Sequence, residues 1–210
     1  MTLAKHNILI VQPDLFSRDS LKILFNLHDS SYSTIEVDNY SSAVEIVNNH
    51  SSKISLIVMD IIPLLEGLDL IRVLKEIPSI KIIVLTHLKE ILLAPYLLKF
   101  GINTFLSKNS TGLDEVKIAV DTILRDEEYI SRSVSIALKK SNEVGGSCLK
   151  LTEREFQVLS LLYRGKTNKE VAQNLNLELY TIESYRKNIM LKTSCKNTAE
   201  LMSFSSTIGI

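Results

Sequence analysis

Continuous apolar runs recur along the first 138 residues, and each is followed by a stretch in which apolar residues have helical spacing. Runs as unbroken as ISLIVMD and IKIIVLT are typical of strands buried on both faces, as in parallel sheets covered by helices. The pattern predicts an α/β, doubly wound (βα)5 domain, in which functional residues lie at the carboxyl ends of the strands. The predicted strands lie near residues 7–11, 34–37, 54–59, 80–85 and 102–106.

The C-terminal part of the chain has a different pattern, in which short amphipathic stretches alternate with capping residues. Thr152 and Glu155 have the spacing of a capping box, and Thr167 and Glu170 repeat it. Gly165 lies where the first of these helices should end. A third amphipathic stretch, YTIESYRKNIMLKTS, follows. Three short helices joined by tight turns predict an all-α helix-turn-helix domain.

A polar segment, KKSNEVGGSC, separates the two patterns and carries two adjacent glycines, as flexible linkers do. We therefore divide the chain into an N-terminal domain at residues 1–128, a linker region at 129–148 and a C-terminal domain at 149–210.

Charge is distributed unevenly between these parts, although the chain of 210 residues has no net charge. Residues 1–148 hold 15 Lys and Arg against 18 Asp and Glu, whereas residues 149–210 hold 9 against 6. The positive balance of the C-terminal part indicates contact with a polyanion. No apolar stretch reaches the roughly 18 residues that a membrane span needs, and no signal-peptide pattern is found. We expect a cytoplasmic protein without a membrane partner.

Polar side chains end three of the predicted strands: Asp60, Thr86 and Lys108. An aspartate can act as a nucleophile toward a phosphoryl donor, a threonine can bond a phosphoryl oxygen, and a lysine can neutralise the added charge. Polar residues also end strands for structural reasons alone. The combination in this order favours a phosphoryl-accepting site.

The segments that carry these residues, LIVMD, IIVLT and GINTFLSK, resemble the receiver domain of bacterial response regulators over roughly residues 5–127. The resemblance implies a flavodoxin-like fold, with Asp60 as the phosphoacceptor. It also implies that Thr86, Phe105 and Lys108 are the receiver's switch residues.

The first predicted strand departs from the receiver pattern. The family has two acidic residues at its end, which hold Mg²⁺, and this chain has Gln12 and Pro13. Neither replaces a carboxylate as a ligand for Mg²⁺, which prefers anionic oxygen; Asp14, one position later, could supply one displaced, weak ligand. Pro63 also arrives one residue early in the loop after Asp60. We therefore expect an atypical receiver without bound metal, in which Lys108 pairs directly with Asp60.

The C-terminal segments LTEREFQVLSLL, GKTNKEVAQNLNL and TIESYRKNIMLK resemble the LuxR-type helix-turn-helix, so the whole chain is similar to LuxR/NarL-type two-domain response regulators. The resemblance implies that one helix enters the major groove of DNA. The implied groove-facing residues are Glu183, Ser184, Tyr185 and Lys187; those nearer phosphates are Thr181, Arg186 and Lys192; those that contact the DNA backbone are Asn168 and Lys169.

The last predicted helix, NTAELMSFSSTIGI, presents apolar residues with little polar cover, namely Leu201, Met202 and Phe204. In LuxR-type proteins this helix commonly forms the dimer contact. Packing against its own small domain is the alternative, and both stay open at this point. A second candidate interface is the leucine-rich stretch 88–100.

We expect a DNA-binding transcription regulator that acts on double-stranded DNA as a homodimer. Its receiver would serve as a dimerisation or partner-binding module, without a cofactor. The alternative is a conventional two-component regulator, in which a sensor kinase directs phosphorylation of Asp60 and Mg²⁺ is bound after all. An enzyme of the same fold is the least supported class, because the sequence has no glycine-rich phosphate loop, nucleophile–base pair or His/Cys metal cluster.

Overall fold

A parallel five-stranded sheet forms the centre of the N-terminal domain, with strand order β2-β1-β3-β4-β5. The computed structural model describes residues 6–28, 31–61, 64–87, 102, 104–133, 135–136, 139 and 151–207. This sheet confirms the predicted fold class. The strands are β1 His6–Val11, β2 Tyr32–Val37, β3 Leu56–Met59, β4 Lys81–Thr86 and β5 Phe105–Ser107.

A helix follows each of β1, β2, β3 and β5 in the part of the chain that the structure describes, as the alternating pattern predicts. The described α-helices of this domain are α1 Leu15–His28, α2 Tyr40–His50, α3 Leu64–Lys75 and α4 Leu113–Leu124, and a short 3-10 helix, Ser51–Lys53, follows α2. The leucine-rich stretch 88–100 and residues 62–63 of the loop after Asp60 lie outside the described residues.

Both faces of the sheet are buried, which explains why the central strands are apolar at every position. In β1, Ile8 and Ile10 belong to one buried cluster, and Leu9 and Val11 belong to another. All four side chains are fully buried. Burial of each such side chain contributes about 1.5–3 kcal/mol, so the unbroken runs are a main source of the stability of the domain.

The register of the strands brings the polar residues that end them to one edge. Val11 lies opposite Met59, so Gln12 and Asp60 leave neighbouring strands side by side, and the Asp60 N–H donates to the Val11 carbonyl at 2.9 Å. The Lys108 N–H likewise donates to the Thr86 carbonyl at 2.8 Å.

Gly67 allows α3 to pack directly against the segment that follows Asp60. A Cβ atom at this position would lie 2.8 Å from the carbonyl oxygen of Ile61. Glycine is therefore required for this close approach, which fixes the start of α3 next to Asp60.

Four helices make up the described C-terminal domain: α5 Glu153–Tyr163, α6 Asn168–Leu175, α7 Leu179–Thr193 and α8 Thr198–Thr207. Both predicted capping boxes are present, at Thr152 and Glu155 and at Thr167 and Glu170. Gly165, which follows the C-cap residue Arg164 of α5, has a φ of +80°, a left-handed conformation that ends a helix and favours glycine.

The helices of this domain enclose a small core. Phe156, Val171, Ile182, Ile189 and Leu201 are among its fully buried residues, so all four helices contribute to it. Among the residues that the structure describes, no helix combines the length and apolar character needed to cross a lipid bilayer.

Candidate functional site

The ammonium group of Lys108 lies between two carboxylates at the carboxyl edge of the sheet. Its Nζ atom is 2.9 Å from Oδ2 of Asp60 and 2.6 Å from Oδ2 of Asp14. The Lys108 and Asp60 side chains are 6% and 8% exposed. The predicted direct pairing of Lys108 with Asp60 is therefore confirmed, and the buried pair is shielded from water, which strengthens it relative to a surface pair.

Asp60 is also held through its backbone and its second carboxylate oxygen. Oδ1 accepts from the N–H of Ile61 at 2.6 Å, and the Tyr40 hydroxyl donates to the Asp60 carbonyl oxygen at 3.3 Å. Burial, together with the negative charges of Asp60 and Glu66, raises the pKa of Tyr40, so this hydroxyl keeps its proton. The role of Tyr40 could not be predicted from the sequence, because its partner atom is a backbone carbonyl of a residue on another element.

Asp14 has two partners and caps α1. Its Oδ1 accepts from the backbone N–H of Ser17 at 2.7 Å, three residues along, as an N-cap aspartate does. Burial opposes ionisation of this carboxyl, but hydrogen bonds from Lys108 and Ser17 outweigh it and lower the pKa of Asp14 to about 2. The spacing of Asp14 and Ser17 at the start of a helix was the available sequence signal for this role.

The lowered pKa of Asp14 makes a stabilising contribution that depends on pH. The contribution is complete above the ordinary value of 3.8 and is lost as the pH falls toward about 2. Asp14→Asn keeps a capping side chain but removes the charge. We expect wild type to be more stable than Asp14→Asn at pH 6, and the gap to close between pH 4 and pH 2 in urea unfolding. A gap that stays constant over this range would contradict the pairing.

Gln12 fills the position at which the receiver pattern has an acidic residue. Its side chain is fully buried, and Nε2 donates to the Leu85 carbonyl at 3.4 Å. Oε1 is buried without a partner among the described residues. The Arg18 guanidinium donates to the Gln12 carbonyl at 2.7 Å. A neutral amide therefore stands at the strand mouth, with a guanidinium beside it.

These residues do not fit a magnesium ion. Mg²⁺ needs near-octahedral, anionic oxygen ligands, and the two carboxylates present, Asp14 and Asp60, already bond the Lys108 ammonium. The described part of the chain contains no group of three His, Cys, Asp or Glu residues that could hold a metal. A bound Mg²⁺ ion would lie against the Lys108 ammonium, which repels it, and beside the neutral amide of Gln12. Both neighbours weaken the binding of the ion.

Thr86 and Phe105, the other two predicted switch residues, are both buried. Thr86 is fully buried, and its hydroxyl has no partner among the residues that the structure describes. Phe105 is 3% exposed, in β5 beside β4. The sheet thus brings Thr86 and Lys108 to the same edge as Asp60.

In the C-terminal domain, one side of α7 faces solvent and carries three of the predicted groove-facing residues. Glu183, Ser184 and Lys187 are exposed. Tyr185 differs from the expectation that it projects outward, because it is half-buried and packs against the core. It lies three residues after Ile182 and four before Ile189, so the helical repeat places it on the side of these two buried residues.

The predicted contacts of the DNA backbone lie around this exposed face. A groove of about 630 Å³ is lined by Asn168, at the first position of α6, and by Glu183, Arg186 and Lys187 of α7. Lys169 is exposed, and Thr181 is half-buried at the start of α7. The Arg186 guanidinium donates to the Thr198 hydroxyl on α8, so part of its hydrogen-bonding capacity is used inside the domain.

Lys192 is bound within the domain as well. Its Nζ lies 2.8 and 2.7 Å from the two carboxylate oxygens of Glu155, whose side chain is 3% exposed. Burial opposes ionisation of Glu155, but hydrogen bonds from Lys192 and Thr152 outweigh it and lower the pKa of Glu155. Lys192 thus joins the end of α7 to the capped start of α5. Lys192 was expected to lie near a DNA phosphate, and this structural role was not predicted.

Variants of two lysines of α7 distinguish a role in the stability of the domain from a role in DNA contact. Lys192→Met leaves the Glu155 carboxylate buried without its cation, and we expect a loss of about 2 kcal/mol, below the roughly 3–5 kcal/mol of fully buried pairs because Lys192 is 32% exposed. Lys187→Met removes an exposed side chain, so the melting temperature should stay within error. Thermal unfolding followed by helix circular dichroism measures both; equal melting temperatures would contradict the structural role of Lys192.

The last helix supplies core residues to its own domain. Leu201 is fully buried in its own domain, as in the packing alternative. The same core partly buries Met202 and Phe204. A 60-residue domain must bury most of its apolar surface to be stable, which accounts for this use of α8.

Known protein families match both domains of the chain. A family described as response regulator receiver domain matches residues 8–121, and one described as bacterial regulatory proteins, luxR family, matches residues 149–205. A protein from Pseudomonas aeruginosa named as a transcriptional regulator is 31% identical, over 94% of this chain and 96% of that protein. The transcriptional regulatory protein FixJ of Bradyrhizobium diazoefficiens is 26% identical, over 98% and 97%.

A solved structure has the same overall fold. RcsB from Salmonella enterica serovar Typhimurium, bound to a promoter in the presence of the phosphomimetic BeF3-, has a TM-score of 0.73 and 21% identity. The alignment covers 96% of this chain and 98% of RcsB.

Proposed function

Because the chain belongs to the two-domain response regulators with a LuxR-type C-terminal domain, we propose that it is a transcription regulator whose receiver works without phosphate. The C-terminal domain binds double-stranded DNA. The N-terminal domain serves as a dimerisation or partner-binding module, with weak or no Mg²⁺-dependent phosphorylation of Asp60 and no bound cofactor. The protein acts in the cytoplasm and is not an enzyme.

The exposed face of α7 supports DNA binding. Lys187 and Ser184 can donate to base edges in the major groove, and Glu183 can accept from the N4 amino group of cytosine. Asn168 and Lys169, at the start of the preceding helix, lie where backbone amides and a cation can contact phosphates. Phosphate contacts would position the domain, while the residues of α7 would select the sequence.

One observation carries the proposal for the receiver: the Lys108 ammonium bonds both carboxylates at the strand edge. This arrangement places a cation against Asp60 without a metal or a phosphoryl group. A phosphoryl dianion added to Asp60 would lose the help of Mg²⁺ and would meet the nearby Asp14 carboxylate. The pairing therefore holds the strand edge in one state.

A symmetric dimer fits the way helix-turn-helix proteins read DNA. Two copies of α7 would contact successive half-sites about 34–36 Å apart, so the DNA site would be pseudo-palindromic. RcsB has been solved as dimers on DNA, which supports the same assembly here. Leu201 is buried within its own domain, whereas Met202 and Phe204 are only partly buried and stay candidates for the dimer contact.

A conventional phosphorylation switch is the second candidate function. It is favoured by the juxtaposition of Asp60, Thr86 and Lys108 at one edge and by the Thr86 hydroxyl, which is buried without a partner among the described residues. RcsB, solved with a phosphomimetic, supports the same candidate. A sensor kinase would then be a partner, and Mg²⁺ would be needed.

Asp60→Ala distinguishes the two candidates. With Mg²⁺ and acetyl phosphate present as a phosphoryl donor, we expect its affinity for DNA selected from a random pool to stay within about twofold of wild type, because a receiver that works without phosphate does not use this carboxylate as an acceptor. Fluorescence anisotropy measures the affinity, and Asp69→Ala on the same domain is the control for removal of a carboxylate. A loss of tenfold or more with Asp60→Ala alone would favour the conventional switch.

A further inference from the structure

We propose that a cleft between the first turns of α1 and α4 binds a small neutral molecule with an apolar body and one hydrogen-bond acceptor, such as a ketone, an ester or an amide. The cleft has a volume of about 310 Å³, within the range of about 300–1,000 Å³ that is usual for small-molecule sites. The existence of this site does not depend on whether Asp60 is phosphorylated.

Apolar side chains line the cleft at its floor and at its mouth. Leu21, Leu85 and Val116 line it and are at most 5% exposed, whereas Phe16 and Leu113 are 83% and 47% exposed. Two large apolar side chains left in water beside a concave apolar surface gain free energy when a ligand covers them. The shape and lining therefore favour an apolar body.

Hydrogen-bond donors also line the cleft. Lys108 has three N–H groups and uses two for Asp14 and Asp60, and no described residue accepts the third. The Thr111 hydroxyl is buried and has no partner in the described part of the chain. Unpaired buried donors cost free energy, so an acceptor atom on the ligand would remove part of that cost.

Charge around the cleft excludes the ionic alternatives. The Lys108 and Arg18 cations balance the Asp14 and Asp60 carboxylates at the inner end, and Asp114 follows Leu113 at the mouth, so an anion would find no unpaired cation. No described carboxylate lines the cleft itself, so a cation would be desolvated without a charged partner. A neutral acceptor satisfies both conditions.

Methyl NMR of the full chain tests this site with three probe molecules that share one apolar body and differ in their head group. The probes are 4-phenyl-2-butanone, 4-phenylbutyrate and 4-phenylbutylamine. We expect the ketone to shift the methyl signals of Leu21, Leu85 and Val116 saturably, and the two charged probes to bind at least tenfold more weakly. No shift of these methyls up to the solubility limit, or equal binding of a charged probe, would overturn the proposal.

A matched pair of variants on α4 locates the ligand. Leu113 lines the cleft, and Ile118 is a similarly exposed apolar residue, at 56%, that does not line it. Leu113→Ser should weaken ketone binding by about fivefold, the loss expected from one partly exposed apolar wall, and Ile118→Ser should leave it unchanged. Equal effects of the two variants would also overturn the site. Both positions are exposed, so unchanged signals of the sheet methyls verify that each variant folds.

Discussion

We expect the double variant Glu183→Ala, Lys187→Ala to lose sequence-specific DNA binding, because it lacks the exposed side chains of both residues. Each base-edge contact of this type contributes about 1–3 kcal/mol of discrimination, and each mismatch between side chain and base costs a similar amount. The fold should not change, because both side chains are exposed on α7. The variant should keep only the weak, salt-dependent binding that phosphate contacts supply.

Arg154→Ala is the control for this variant. Arg154 is exposed on α5 and bonds Gln157 on the same helix, so its loss removes one positive charge from the same domain without touching α7. Footprinting on selected DNA at two salt concentrations would compare the three proteins. A footprint retained by the double variant, or an equal loss with Arg154→Ala, would contradict the assignment of α7 as the helix that reads bases.

The second large effect is on the stability of the N-terminal domain. Lys108→Met leaves Asp60 buried and charged with no cation beside it, and Asp14 loses the same partner. Breaking a buried pair by removing one member costs about 3–5 kcal/mol, and we expect about 3 kcal/mol here because Asp14 is half-exposed. Urea unfolding followed through methyl signals of the sheet, for example those of Ile8 and Val58, reports on this domain separately.

A rescue variant makes this test specific. Lys108→Met combined with Asp60→Asn removes both charges of the buried pair, and replacement of both members of such a pair is often close to neutral. The double variant should therefore recover most of the loss. If it is as unstable as the sum of the two single variants, the Lys108–Asp60 contact is not the source of the effect.

The secondary-structure elements could be predicted from the sequence more fully than the side-chain contacts between them. Unbroken runs such as LIVM in β3 allow few alternatives to a buried parallel strand, and a capping box such as Thr152 with Glu155 is a local signal over four residues. Both depend on neighbours along the chain. They could therefore be predicted without the fold.

Two of the unexpected features depend on contacts between distant residues. Lys192 meets Glu155 across 37 positions, and Lys108 meets Asp14 across 94. Neither pair has a periodic signal, since a charged residue looks the same in the sequence whether it faces DNA or a buried carboxylate. Tyr185 could have been assigned correctly, because its spacing from Ile182 and Ile189 already placed it toward the core.

The pairing of Lys108 with Asp60 and Asp14 is the central feature of the receiver, and titration with Mg²⁺ and beryllofluoride tests it most directly. Amide NMR shifts of the full chain would be followed at Asp60, Thr86 and Phe105. We predict no saturable shift at these positions at millimolar Mg²⁺, with or without beryllofluoride. Saturable binding with shifts at Thr86 and Phe105 would contradict a receiver that works without phosphate and would establish a working phosphorylation switch.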